Sequence, residues 1–255
     1  MGSQSALGER LAAHLMSTAR DPFTTEAEMG PHLRPHVRTL AGTPVLWFAE
    51  VPAVNGIPDM SLVRFDAVET RRRNRHGLTM PDDLSIVRTA LLLSERPAGL
   101  GVDELARSTR LSQRLLKRRV LPTLSEHGWV TSNDGVWRMT RRYSDPAALL
   151  VTIELKLRDW RKALTQALHA SVGADAAWVV LDSRSTSATD QVRHFQVRGV
   201  GLALLDRQNL EIVHPARPAN CDPARRAVLA ERLLRMKDAG VRVGPERHVF
   251  GRILT

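Results

Sequence analysis

Cysteine occurs once in these 255 residues, at Cys221. A lone thiol excludes an intramolecular disulfide and a zinc site built from several cysteines. It follows Asn220 and stands in no histidine–acid pattern that would mark a nucleophile. A reducing, cytoplasmic home is the expectation. Long apolar runs are also missing: nothing approaches the roughly 18–20 residues of a membrane-spanning helix. The first 20 residues carry no basic segment leading into an apolar one, so no secretory signal is expected. The nine histidines include no HExxH pair, which disfavours zinc-dependent hydrolysis. No GxxxxGK(S/T) loop occurs, so ATP use is not indicated. Lysine is scarce, at positions 117, 156, 162 and 237 only.

Arginine fills the gap. The 37 basic residues stand against 27 acids, for a net charge of +10 and a pI near 11.1. A surplus of this size favours a polyanionic partner, nucleic acid first among them. A membrane surface fits less well, because no basic amphipathic helix with a broad apolar face stands out. The 43% apolar and 25% charged content is that of a globular chain with a real core.

Residues 1–20 read as a helical extension, with a helix from Leu7 to Met16. A second helix opens near Thr24 or Thr25, where Glu26 and Glu28 favour its positive end. Pro44 to Val51 and Met60 to Phe65 read as two strands around the turn Gly56-Ile-Pro-Asp59. Glu69 to Gly77 is basic and turn-rich and reads as a linker. Helical spacing follows over Asp82 to Ser94, then Val102 to Ser108. A third helix, capped by Ser112, carries Arg114, Lys117, Arg118 and Arg119. Trp129 to Met139 is a hairpin about Asp134-Gly135. An α/β pattern closes the chain: strand Leu149 to Leu157, helix Trp160 to Ala170, strand Ala176 to Leu181, hairpin Gly201–Leu205 with Leu210–Val213, and helix Asp222 to Ala239. The tail from Gly240 to Thr255 gives no clear pattern.

Three helices followed by a hairpin, over residues 78–142, resemble a winged helix-turn-helix. Its carriers are Val102-Asp-Glu-Leu-Ala-Arg-Ser-Thr-Arg-Leu-Ser-Gln-Arg-Leu-Leu-Lys-Arg-Arg119 and Leu124-Ser-Glu-His-Gly-Trp-Val130. The resemblance implies that Gln113, Arg114, Lys117 and Arg118 face duplex DNA in the major groove while the wing, with Trp137, meets the backbone. The competing reading is a protein–protein platform with a solvated arginine face.

The flanking segments carry acids at telling places. Gly56-Ile-Pro-Asp59 precedes a strand. Ile153-Glu-Leu-Lys-Leu157 interrupts an apolar strand with two charges, and a helix with Gln166 follows. Residues two apart on a strand share a face, so Glu154 and Lys156 point together. Charges inside such a run are costly without a function or partners; the alternative is an edge strand with both in solvent. Together these segments resemble the PD-(D/E)XK nuclease superfamily, over residues 21–70 and 143–255. The resemblance implies a restriction-endonuclease-like α/β (α+β) fold, a mixed sheet flanked by helices, with the winged helix inserted between the two acids. It further implies Asp59, Glu154 and the Leu155 carbonyl as ligands of Mg²⁺ or Mn²⁺, Lys156 acting on the attacking water or offsetting phosphate charge, and Gln166 as support. Two departures stand out. The acids are separated by 94 residues, and Ala170 stands where a tyrosine follows the helix glutamine in some members. A further acid is usual; Glu26, Glu28 and Glu50 are all open.

The expected function is metal-dependent cleavage of DNA phosphodiester bonds, in genome defence, mobile-element biology or repair by family analogy. Double-strand cutting would call for a homodimer. Two alternatives remain: a non-catalytic DNA-binding transcriptional regulator that uses the nuclease-like part for dimerisation, and a nuclease fold acting on RNA or inside a larger complex.

Overall fold

The computed structural model describes residues 23–185 and 188–243, with the backbone of the short strand pair His248–Val249 and Arg252–Ile253. The helix expected within residues 1–20 lies outside them. The described chain is mixed α/β. It opens with α1 (Glu26–Leu33), a 3-10 turn Arg34–His36 and α2 (Val37–Ala41). The hairpin β1 (Leu46–Ala49) and β2 (Met60–Phe65) follows, then α3 (Ala67–His76). After the middle segment come β6 (Ala147–Lys156), α7 (Trp160–Ser171), β7 (Ala176–Asp182), α8 (Val192–Arg198), β8 (Gly201–Leu205), β9 (Leu210–His214) and α9 (Pro223–Asp238). Among the described residues no helix is long and apolar enough to cross a membrane.

Six strands form one mixed sheet in the order β1-β2-β6-β7-β8-β9. β2 runs antiparallel to both β1 and β6, with Met60 opposite Ile153 and Ser61 opposite Thr152. β6, β7 and β8 are parallel, so each connection needs a crossover, which α7 and α8 supply. β9 returns antiparallel as an edge strand. β6 lies between two neighbours and is covered on both faces, which is why it reads as a nearly continuous apolar run. On one face Met60, Leu62, Ile153, Leu155 and Val180 pack beneath Met29, Leu33 and Leu40 of the first two helices. On the other, α7 and α8 cover Val179 and Leu202, and α9 covers Val63 and Leu150. Strand alternation turns Ser61, Thr152, Glu154 and Lys156 toward this second face. Gly201 is required where β8 passes Trp178, since a Cβ there would run into the indole.

The middle segment runs α4 (Leu84–Ser94), β3 (Leu100–Gly101), α5 (Val102–Thr109), α6, β4 (Val130–Asn133) and β5 (Val136–Met139). α6 is continuous through Gln113–Leu115, a π-helical stretch Leu116–Val120, and Leu121–Glu126. Asp83 caps α4 and Ser112 caps α6, each side chain accepting backbone N–H bonds. The β4–β5 turn places both Asp134 (φ 51°) and Gly135 (φ 77°) in the left-handed region, the twist that two-residue hairpins favour. β3 adds to β5, completing a three-stranded sheet. Neither β3 nor α8 was expected: β3 is two residues long, and α8 has Phe195 as its one buried side chain.

One expectation is overturned. Glu69 to Gly77 is no linker but the body of α3. Asp66 caps it, accepting from Val68 and Glu69 N–H, and Gly77 stops it at φ 60°. The charged residues are structural: Arg73 is buried, donating from Nε to Glu69, from Nη1 to Glu231 and from Nη2 to the Ser144 carbonyl, each at 2.7 Å. Tyr143 Oη donates to the other Glu231 oxygen at 2.7 Å. The core of the middle segment takes in Ala227 and Val228 of α9, so this segment shares its interior with the sheet domain's last helix.

Candidate active site

The carboxyl end of β6 gathers charge. Glu154 is 3% exposed and Lys156 7%, which excludes the reading in which both stand in solvent. The β2–β6 register, extended one step beyond Met60 and Ile153, sets Asp59 opposite Glu154. Asp59 Oδ2 accepts the Leu155 N–H at 2.7 Å and lies 3.7 Å from Lys156 Nζ. Asp59 and Glu154, with 94 residues between them in sequence, therefore share one spot. Lys156 Nζ donates to Glu26 Oε2 at 2.9 Å and to the Leu155 carbonyl at 2.8 Å.

The three open acids now separate. Glu26, on the first turn of α1, faces Lys156. Glu28 turns away: it accepts from the Thr24 N–H at 3.1 Å and from the Thr24 hydroxyl, and Arg207 lies 3.4 Å from it. Glu50, held at φ 52° after β1, sits near enough to Asp59 to raise its pKa.

Electrostatics follow from this crowding. Burial, joined by the charge of Asp59, pushes the Glu154 carboxyl up to about 8; hydrogen bonding with Asp59 acts in the same sense and Lys156 opposes it. Burial also raises Asp59, against the Leu155 N–H and Lys156, which favour its ionised form. For Lys156 burial acts to lower the pKa, but the hydrogen bond to Glu26 and the charges of Asp59, Glu26 and Glu154 outweigh it. Lys156 therefore stays an ammonium, suited to holding water or phosphate oxygen rather than to taking a proton.

Among the described residues four buried oxygens at this site lack a protein partner: Glu154 Oε2, Thr152 Oγ1, Ser61 Oγ and Gln166 Oε1. Glu154, Thr152 and Ser61 lie on one face of adjacent strands, and α7, which bears Gln166, packs over β6. An unpartnered oxygen on a buried carboxylate is costly unless water or a cation completes it. Asp59 and Glu154 thus fit a divalent ion with oxygen ligands. The Leu155 carbonyl, expected beside them, already accepts from Lys156. Among the described residues no group of three or more His, Cys, Asp or Glu is arranged as a ready ligand set. Among the described residues no hydrogen bond joins Gln166 to either acid.

A cleft of about 480 Å³ opens on Asp59, lined by Glu26, Glu50, Arg34, Met60 and Leu155. A larger cavity, about 670 Å³, lies between α3 and α9 against Arg73, Met80, His127 and Leu234. Its charged groups Arg73, Glu231, Arg235 and Asp238 are ion-paired within the protein, whereas the smaller cleft opens on Asp59, beside the unpartnered Glu154 oxygen.

Gln113, Arg114, Lys117 and Arg118 stand exposed on α6, while Leu116, Val120, Leu121 and Leu124 bury its other side. Arg119 is tied to Asp83 at 2.7 Å. Trp137 packs against the core of this segment and is half-buried. Sequence reasoning missed Arg34 and Trp47 on the cleft side, where the guanidinium lies 4.1 Å from the ring centroid. Nothing local signals a pairing between a helix end and a strand.

No protein-family model matches this chain, and no curated protein matches it. A solved structure, a protein of unknown function from Silicibacter pomeroyi, is similar to it at 19% identity and a TM-score of 0.28, over 49% of this chain and 85% of that one. A likeness at that level carries no argument.

Proposed function

We propose that this chain is a metal-dependent DNA endonuclease of the PD-(D/E)XK type, delivered to duplex DNA by an inserted winged helix-turn-helix. The observation that carries the reading is the convergence of Asp59, Glu154 and Lys156 at one strand end, with a buried Glu154 oxygen left unpartnered. The supporting framework is an antiparallel hairpin, a third strand bearing the acid and lysine, a crossover helix and a parallel fourth strand. The order α4-β3-α5-α6-β4-β5, with its sheet β3-β5-β4, supports the inserted winged helix.

In this reading Asp59 and Glu154 hold Mg²⁺ or Mn²⁺. Such an ion lowers the pKa of a bound water and offsets charge developing on the phosphate. Lys156, kept charged, orients the attacking water and neutralises a phosphate oxygen. Glu26 holds the Lys156 ammonium in position. Gln166 supports the arrangement from α7. Water oxygen joins phosphorus, one P–O ester bond breaks, and the strand ends are left as an alcohol and a phosphate monoester. Gln113, Arg114, Lys117 and Arg118 supply phosphate and base contacts in the major groove.

A plasmid nicking assay tests this. Cleavage is expected with Mg²⁺, lost in EDTA and lost in Lys156→Ala. Activity that survives EDTA or ignores the substitution overturns the mechanism. One observation favours the regulator instead: the Lys156 ammonium and the Leu155 carbonyl are engaged with each other. Binding to a defined duplex with no cutting under any divalent ion would establish that reading.

A further inference from the structure

The cleft beside Asp59 presents a problem of charge. Three carboxylates line it, Glu26, Glu50 and Asp59, and a nucleic-acid strand arriving there is itself polyanionic. Lys156 does not solve this alone, since its ammonium is held by Glu26 and the Leu155 carbonyl. Lys156 stands behind the cleft, and among the described residues the cation in its wall is Arg34. Glu26, Gly30 and Arg34 follow at four-residue spacing along one stripe of α1 and the turn that continues it. The glycine between the two charged residues keeps that stripe low, with open space around where a side chain would stand.

Arg34 is held in an unusual way. Its guanidinium stacks over Trp47 of β1, 4.1 Å from the ring centroid, yet the residue is exposed. Its nitrogens make no hydrogen bond or ion pair among the described residues. Stacking fixes the plane of the fork through its π face and consumes none of its five N–H donors. The cation is thus oriented before a ligand arrives, with its hydrogen-bonding edge unspent, the state that suits bidentate capture of phosphate.

We propose that Arg34, positioned by Trp47, grips a backbone phosphate of the substrate strand and seats it in the cleft next to Asp59. This rests on the nuclease reading, which assigns no residue to that task. The Arg34–Trp47 pair makes the acid-lined cleft selective for a strand whose phosphate reaches the guanidinium.

The test uses the full chain and synthetic duplex and single-stranded DNA of matched sequence. Binding is measured in EDTA across a salt series, and duplex cleavage is measured with Mg²⁺. In Arg34→Ala, kcat/KM is expected to fall about 10- to 100-fold, the loss of one charge-assisted fork, mostly through KM. The slope of log affinity against log salt is expected to drop by about 0.9 on duplex, or about 0.7 on a single strand, the signature of one lost phosphate contact. Arg34→Lys should keep the salt slope and recover only part of the KM, and Trp47→Leu should raise KM with the charge intact. An unchanged KM and salt slope in Arg34→Ala overturns the assignment while wild-type cutting leaves the nuclease reading standing. Conversely, a reduced slope with no cutting by the wild type would retain the phosphate contact and reject the nuclease. No binding to either nucleic acid would reject both.

Discussion

Replacing Glu154 by glutamine probes the buried acid without reference to any substrate. The carboxyl is 3% exposed, and burial together with Asp59 lifts its pKa from 4.5 to about 8. A group that holds its proton more tightly folded than unfolded contributes stability that is fully present below its unfolded pKa. That contribution is lost as pH rises through the folded value. Between about pH 4.5 and 8 the wild type should therefore lose ~1.4 kcal/mol per pH unit from this position, about 5 kcal/mol at most. Glu154→Gln has no proton to lose there, so its profile should be flatter. The assay is urea unfolding in EDTA at pH 5, 6, 7, 8 and 9 for both proteins, with the stability difference plotted against pH. The variant should gain steadily on the wild type up to pH 8 and then run parallel to it. Millimolar Mg²⁺ should recover stability in the wild type most at high pH, because an ion needs the carboxylates ionised, and should do little for the variant. Parallel profiles in EDTA, or a wild type that gains stability over this range, would refute the argument.

Other consequences follow from the same structure. Arg114→Ala and Arg118→Ala should each weaken duplex binding across sequences and lower the salt slope by about 1, leaving urea stability unchanged; fluorescence anisotropy in a salt series checks this. Arg73→Met leaves Glu69, Glu231 and the Ser144 carbonyl around a buried void in charge, and should cost ~3–5 kcal/mol in urea unfolding; a loss under 1 kcal/mol on the scale of exposed pairs would show the network to be dispensable. Gly201→Ala drives a methyl group into the Trp178 ring and should destabilise by ~1–3 kcal/mol, with altered tryptophan fluorescence.

Local chemistry made much of the framework legible. β2 was readable over Met60–Phe65, and the Ser112 cap, the Asp134-Gly135 turn and α9 were visible because each depends on residues within a few positions of one another. The α3 segment failed for the opposite reason. A run with four arginines resembles a solvated connector until Glu231, 158 residues away, is brought against Arg73. The choice among Glu26, Glu28 and Glu50 stayed open in the sequence for the same reason. Successive helical positions are rotated by about 100°, so Glu26 and Glu28 point to different neighbours, and only the docking of α1 on the sheet says which of them meets Lys156.

The sequence by itself determined the net charge of +10, that Glu154 and Lys156 share one strand face, and that Asp59 stands before a strand; charge count and the two-residue strand repeat suffice for these. Tertiary structure decided that Asp59 lies beside Glu154, that Glu26 holds the ammonium, that Arg34 stacks on Trp47 and that α9 serves both cores. Those facts depend on strand order and helix docking, which are set by the burial of the whole chain's apolar surface at once, and no short stretch of residues encodes them.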